Sequence, residues 1–207
     1  MEQARAPRRD PARKARILAA SAELISRHGY HAVGLTEIGT AAGIVSTGVY
    51  RHFPSKSAIL AALLHQVMDL LGTAAGEIVA TAPDDRAAVT ELVRHHVRVA
   101  IEDRRILQVY HFEARCLPAE DQQRLRRAQR DYVEEWVAVV TPLRPGLTDA
   151  QARALVHAAI GGVQSVLFHH SGLAQDRLTA LLCGAAHACL GVAAAAEPGC
   201  RVGLHPS

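Results

Sequence analysis

The stretch from Leu35 to Leu60, LTEIGTAAGIVSTGVYRHFPSKSAIL, constrains the fold more than any other part of the chain. Its apolar spacing, its glycine and its proline predict two short helices that are joined by a tight turn and then abruptly stopped. Thr36 is a candidate N-cap of the first short helix, which ends at Gly43. The second begins near Ser46 or Thr47 and ends before the proline. This pattern predicts a helix-turn-helix.

The rest of the chain also reads as helical. Apolar residues recur at spacings of three and four, aromatic residues make up only 4%, and no clear alternating strand pattern is found. An all-α fold is therefore predicted. A first helix is expected from Asp10, its cap, to Gly29, and a long helix is expected after Ser55, which caps it. Thr148 is expected to cap a later helix. Further helices are expected from about 104 to 115, at 149–171 and 175–195, and after the breaks at Pro83 and Pro118.

Charge is unevenly distributed along the chain, although the net charge is only +3. Residues 1–60 hold nine Lys/Arg and four Asp/Glu. Residues 61–207 hold fourteen Lys/Arg and sixteen Asp/Glu. The basic end coincides with the predicted helix-turn-helix, which points to an anionic partner. A basic, solvated surface is the alternative interpretation.

The sequence favours a cytoplasmic protein that does not associate with membranes. Its four cysteines show no CxxC pairing, as expected in a reducing compartment. The first sixteen residues lack the apolar core of a signal peptide. The longest apolar tract, Ala154 to Phe168, is shorter than the roughly 20 residues that span a bilayer.

The last two predicted helices are apolar nearly all round, although one subunit's core covers only one side of a helix. We therefore predict a homodimer that forms through these helices, with packing inside a monomer as the alternative. The small or apolar residues along them are Ala154, Ala158, Gly161, Gly162, Ser165, Leu178, Leu182, Ala185, Ala186 and Cys189.

The run from Arg16 to Leu60 contains ILAASAELISRHGY, TEIGTAAGI, VYRHF and PSKSAIL in order, and it resembles the N-terminal domain of TetR-family transcriptional regulators. The resemblance implies an all-α homodimer with a DNA-binding domain and a C-terminal domain that binds an effector and dimerises. It implies a disordered basic arm at 1–9, a helix-turn-helix domain at 10–54, an effector-binding and dimerisation domain at 55–197 and a flexible tail at 198–207.

Three positions depart from the pattern that the family often shows. Gly39 stands where alanine is frequent, and Ile25 stands where phenylalanine is frequent, so packing within the domain is weakened slightly. The segment 45–48 replaces a Ser-x-Gly segment, which alters what the second short helix can read.

In a helix-turn-helix the second helix enters the major groove with its N-terminal residues against base edges. The base-facing candidates are Val45, Ser46, Thr47, Gly48 and Arg51, and the phosphate-facing candidates are Thr36, Tyr50, His52 and Lys56. Because this helix lacks Asn and Gln, Arg51 is its only bidentate reader, of guanine. Four arginines near the amino terminus follow the DNA backbone or a minor groove, with an untethered basic tail as the alternative: Arg5, Arg8, Arg9 and Arg13.

The resemblance places an effector pocket among the helices from Ser55 to Ser171. Its candidate lining residues are Leu64, Met68, Val93, Val97, Tyr110, Phe112, Trp136, Phe168 and His169, most of which equally suit a packed core. This mixture favours an apolar or acyl-like molecule, and by analogy the protein is expected to be a repressor that its effector releases from an operator. No cofactor is predicted.

The sequence also raises alternatives to this function. The twelve histidines, with the pairs at 95–96 and 169–170, raise the alternative of a metal-responsive regulator, although adjacent residues on a helix seldom chelate one ion. An enzyme is not predicted, because neither a glycine-rich phosphate loop nor a nucleophile elbow is present. A helical interaction protein that does not bind specific DNA is the remaining alternative.

Overall fold

The computed structural model of the protein describes residues 11–195, which contain nine α-helices, two 3-10 turns and no strand. The helices are α1 (Pro11–His28), α2 (Leu35–Ala41), α3 (Ser46–Tyr50), α4 (Lys56–Thr81), α5 (Asp85–Glu102), α6 (Arg104–Glu113), α7 (Ala119–Val140), α8 (Asp149–Gln164) and α9 (Gln175–Leu190). The predicted all-α fold is confirmed. The predictions for the basic arm before residue 10, for the cap at Asp10 and for the tail after residue 197 lie outside the described residues.

The described chain forms two compact units. The first consists of residues 11–70 and 103–129, so it contains α6 and the first half of α7 as well as the helices around the predicted helix-turn-helix. Within it, α1 packs on α2 and α6, and α2 packs on α3. Its core includes Ile17, Ile25, Ile38, Val49 and Phe53. This division differs from the sequence-based boundary at residue 55.

The second unit consists of residues 71–102 and 130–195. Helices α8 and α9 pack on each other and on α5. The predicted cap at Thr148 is confirmed, because its hydroxyl accepts the amide of Gln151 at 3.3 Å while the Gln151 side chain accepts the amide of Thr148 at 2.8 Å. Helix α9 ends at Gly191, whose φ of 63° is a conformation that favours glycine.

Several predicted helix ends were wrong. Helix α2 begins at Leu35 with Gly34 as its N-cap, so Thr36 lies inside the first turn and is not the cap. Helix α8 ends at Gln164 and continues only as the 3-10 turn Ser165–Leu167, whereas the apolar pattern had predicted a helix to residue 171. Helix α9 ends five residues before its predicted end at residue 195, because the left-handed glycine terminates it.

Helix α4 is the longest helix, with 26 residues, and its amino end is capped as predicted by Ser55, whose hydroxyl accepts the amide of Ala58 at 3.1 Å. On length and composition alone it could cross a membrane. Half of its most apolar stretch is buried inside the protein, which is the usual behaviour of a core helix. Its apolar character is therefore accounted for by packing.

Candidate nucleic-acid interface

Helices α2 and α3 are joined by a turn that fixes their mutual direction. Gly43 adopts a φ of 66°, which side chains other than glycine rarely adopt. The amide of Ile44 donates to the carbonyl of Gly39 at 2.8 Å, and the amide of Ala42 donates to the carbonyl of Ile38 at 2.9 Å. Val49 of α3 is fully buried, so the opposite face of this short helix points outward.

Four of the nine predicted DNA contacts are exposed on α3 or directly beside it. Val45 is 75% exposed and Tyr50 is 57% exposed, which is high for apolar and aromatic side chains. Thr47 and Arg51 are also exposed, as is Thr36 on α2. The structure thus brings these five side chains to the surface of one short segment. His52 is half-buried, and Ser46 begins α3 with a side chain that is not described.

Gly48 has a packing role that the sequence did not reveal. A Cβ atom at this position would lie 2.5 Å from Cγ2 of Ile44, which is closer than real contacts allow. Glycine therefore lets the first turn of α3 pass over the branched side chain of Ile44. Its placement among the base-reading residues stays a prediction, but the structure gives an independent reason for a glycine here.

Replacing Gly48 by alanine is expected to lower the stability of the protein by about 1–3 kcal/mol, because the stiff, branched Ile44 side chain must shift. Operator affinity should fall as α3 moves. The matched control is Gly76→Ala in α4, where a Cβ atom meets nothing within 4 Å and the helix gains propensity. Thermal melting and a DNA titration test both variants, and a Gly48→Ala protein that melts and binds like the parent would contradict this account.

Lys56 occupies a different position from the one expected of a phosphate contact. Its ammonium donates to the carbonyls of Tyr30 at 2.8 Å, Val33 at 2.9 Å and His31 at 3.4 Å, and it lies 4.4 Å from the centroid of the Tyr30 ring. An ammonium has three N–H donors, and all three have partners here. In this arrangement Lys56 fixes the connection between α1 and α2, and a phosphate contact would require it to release a carbonyl.

The same connection is also held from α6, which the sequence did not predict. Glu113 accepts the amide of Tyr30 at 3.1 Å through Oε1. The Cys116 thiol lies 3.5 Å from Nε2 of His31 and donates to Oε2 of Glu113 at 3.5 Å. Burial raises the pKa of the Cys116 thiol, and the hydrogen bond to Glu113 and the negative charge of that carboxylate raise it further. The connection is therefore bonded through the N–H group of Tyr30 and through the C=O groups of Tyr30, His31 and Val33.

Comparisons with known proteins agree with this geometry. The family described as bacterial regulatory proteins, tetR family, matches residues 17–63, which cover α1 to the start of α4. The chain is 29% identical over 143 residues to the HTH-type transcriptional repressor KstR2 of Rhodococcus jostii, an alignment that covers 69% of each chain. The chain belongs to the TetR family of transcriptional regulators. This membership agrees with the prediction that it is not an enzyme.

Two solved structures share the fold of this TetR-family chain. AibR in complex with isovaleryl coenzyme A and operator DNA has a TM-score of 0.71 and 20% identity, with 84% of this chain and 97% of that chain covered. The regulator FadR from Bacillus subtilis in complex with stearoyl-CoA has a TM-score of 0.68 and 19% identity, with 83% of this chain and 96% of that chain covered. At these identities the likeness shows the architecture alone.

The predicted effector-lining residues of the TetR-family chain fall into two groups. Leu64, Met68, Val93, Val97 and Trp136 are buried in the cores of their units. Tyr110 is half-buried, whereas the remaining three, Phe112, Phe168 and His169, are exposed.

The exposed group lies outside the cores, and its role in lining an effector pocket stays a prediction. Phe168 and His169 were predicted on a continuous α8, but the helix ends at Gln164 and the following turn directs them outward. Nδ1 of His169 lies 3.0 Å from the Ser165 carbonyl.

An aromatic cluster occupies the core of the second unit. The Tyr132 hydroxyl lies 3.0 Å from Nδ1 of His96, and the ring of Trp136 lies 6.0 Å from that of His96 and 6.2 Å from that of Tyr132. His96 and Trp136 are fully buried, and burial raises the pKa of the Tyr132 phenol, so it keeps its proton. His96 therefore serves the core, in place of the metal role considered for the pair at 95–96.

The metal alternative finds no geometric support in the part of the chain that the structure describes. Within residues 11–195, no group of three or more His, Cys, Asp or Glu side chains is arranged to hold a metal ion. The second histidine pair is exposed at the end of α8.

Proposed function

We propose that this TetR-family chain is a homodimeric repressor that binds an operator through α2 and α3 and leaves it when an acyl-coenzyme A binds. The observation that carries the DNA-binding part is the outward face of α3 with its flanking residues. Thr47 and Tyr50 of the helix are exposed, as are Val45 before it and Arg51 after it, while Val49 is buried. A helix with such a face fits the major groove, which is about 12 Å wide. The basic bias of residues 1–60 adds attraction to phosphate.

Base readout by this face should be modest. Thr47 offers a hydroxyl and a methyl group, Val45 can touch thymine methyls, and Arg51 can pair with guanine. No side chain of the five-residue helix makes the bidentate contact to adenine. Affinity therefore depends on phosphate contacts and on having two half-sites at the spacing that the dimer sets, about 34–36 Å for sites one turn apart.

Dimerisation through α8 and α9 is supported by an exposed face of small residues. Ala154, Ala158, Gly161, Gly162 and Ser165 share one side of α8, and all five are exposed. On α9, Leu181 is 60% exposed and lies near the exposed Ala185. A contiguous face with so few polar groups is typical of an interface, and small side chains permit close helix approach.

The acyl-coenzyme A assignment is supported by two kinds of observation. Two solved structures with the same fold hold isovaleryl coenzyme A and stearoyl-CoA. The core of the second unit is itself apolar, with Val93, Val97 and Trp136 fully buried, so a related interior suits an acyl chain better than a sugar. This extends the sequence-based prediction of an apolar or acyl-like effector.

Coupling between effector and operator is assigned to α4. Lys56 at its amino end is bonded to residues 30–33, which precede α2, and the helix continues as one element to Thr81. A ligand that favours a different position of α4 would therefore displace α2 and α3 together. Coupling free energies of this kind are about 1–3 kcal/mol, or about 5–150-fold in affinity.

The proposal is tested with the DNA upstream of the protein's own gene in a mobility-shift titration. We expect a shifted complex with two protomers per site, a steep loss of affinity as salt rises, and release by acyl-coenzyme A but not by free fatty acid. A protein that fails to shift this DNA at low salt, or that binds without salt dependence, would favour the alternative of a helical interaction protein. Lower transcription of the adjacent gene in a strain that lacks the protein would contradict its assignment as a repressor.

Replacing Tyr50 and Arg51 together by alanine is expected to weaken operator binding about 100-fold or more, since each contact to bases or phosphates contributes about 1–3 kcal/mol. Both side chains are exposed, so stability and dimer mass should stay unchanged. Arg124→Ala on α7, which removes an exposed arginine paired with Glu120, is the matched control. Unaltered binding of the double variant would remove these two residues from the interface.

A further inference from the structure

A cleft of about 330 Å³ opens in the first unit between the carboxyl end of α6 and the first half of α7. Its polar lining consists of Tyr110, His111, Arg115, Gln122, Arg126 and Gln129. The lining includes no carboxylate. Two guanidinium groups, an imidazole, two carboxamides and a phenol therefore surround a space that is large enough for a phosphate-bearing fragment.

The charge balance of the cleft differs from that of two other arginines in this unit. Arg105 is paired with Glu23 and Arg124 with Glu120. Within residues 11–195, no carboxylate forms an ion pair with Arg115 or Arg126. Their positive charges are thus left for an anion from solution.

Hydrogen bonds hold the two sides of the cleft together. The Gln122 carboxamide donates to the carbonyls of Arg115 at 3.1 Å and Leu117 at 2.9 Å, which ties α7 to the 3-10 turn Ala114–Cys116. The Arg126 guanidinium donates to the Gln122 oxygen at 3.2 Å. Burial raises the pKa of the Tyr110 phenol to about 12, so this group remains a hydrogen-bond donor at neutral pH.

We propose that this cleft is a binding site for a phosphate-type oxyanion, held by the guanidinium groups of Arg115 and Arg126 across the fixed side chain of Gln122. Planar guanidinium groups match phosphate oxygens in paired hydrogen bonds, and they do so better than lysine or histidine. The anion is either free inorganic phosphate or the phosphate groups of a nucleotide-like effector, of which coenzyme A is one.

The position of the cleft connects it to DNA binding. Arg115 lies in the 3-10 turn between Glu113 and Cys116, which contact Tyr30 and His31. An anion that draws Arg115 towards α7 acts on the turn that holds the connection before α2. Operator affinity is therefore expected to change about 5–150-fold when the cleft is filled. The expected change in operator affinity rests on the proposed function, whereas binding of an anion in the cleft does not.

Calorimetry of the full-length protein without DNA tests the site, with inorganic pyrophosphate and coenzyme A as separate probes. We expect saturable binding that weakens with salt, and a loss of at least tenfold in Arg115→Gln/Arg126→Gln. Arg124→Gln, which removes an arginine of α7 outside the cleft, should bind like the parent. Tighter binding of coenzyme A than of pyrophosphate assigns the anion to a nucleotide-like ligand, and equal affinity assigns it to free phosphate.

Binding of neither probe to the parent would overturn the inference, as would equal binding to the parent and to the double glutamine variant. Thermal melting of that variant checks its fold, and the single variant Arg126→Gln provides a second measurement. A separate operator titration keeps the two proposals distinguishable. Probe binding without any DNA binding retains the anion site and removes the proposed function, whereas DNA binding without probe binding does the reverse.

Discussion

Replacing Lys56 by methionine is expected to destabilise the protein by about 2–3 kcal/mol and to weaken operator binding at the same time. The substitution keeps the apolar stem but removes the ammonium that three carbonyls of residues 30–33 accept. Hydrogen bonds to a charged group each contribute about 1.5–3 kcal/mol, and carbonyls that remain exposed to water recover part of this. Urea unfolding and amide hydrogen exchange measure the effect.

The result separates two roles for Lys56. If it fixes the α1–α2 connection, stability falls and the amides around residues 30–33 exchange faster. If it contacts phosphate, stability stays unchanged and the salt dependence of operator binding falls by about one counterion. Lys14→Met is the control, because the other lysine of the chain is exposed on α1 and lies 5.8 Å from the Phe53 ring centroid.

Replacing Trp136 by alanine is expected to lower stability by about 3–5 kcal/mol and the melting temperature by about 10 °C. The side chain is fully buried beside His96 and Tyr132, so its removal leaves a cavity in the core of the second unit. Calorimetric melting provides the measurement. Phe112→Ala removes an aromatic ring that is 53% exposed and should cost less than about 1 kcal/mol.

This pair of variants also tests the sequence-based effector assignment, which included both residues. A core role for Trp136 requires the loss of stability. An unchanged melting temperature with a lost response to acyl-coenzyme A would instead place Trp136 in a ligand pocket.

The sequence predicted those features that depend on local chemistry. The helix periodicity, the caps at Ser55 and Thr148 and the turn at Gly43 each involve residues within a few positions of one another. The exposed face of α3 follows from the same logic, since burying Val49 turns its neighbours outward. The family resemblance supplied the DNA-binding role.

Features that depend on distant partners were missed. Glu113 and Tyr30 are 83 residues apart, and Lys56 lies 26 residues from Tyr30, so no pattern in one sequence pairs them. The carbonyl contacts of Lys56 were missed because a lysine at a helix start suits an anion equally well, and its predicted phosphate contact stays a prediction. The end of α8 was missed because Ser165–Leu167 continues the apolar spacing although the backbone tightens into a 3-10 turn.

The bonds around residues 30–33 have a consequence for which operators the protein can accept. Because Lys56 and Glu113 hold this connection, the chain that leads into α2 is tied both to the start of α4 and to the carboxyl end of α6. An effector would accordingly retune the preferred number of base pairs between half-sites while leaving the base preference within each half-site intact.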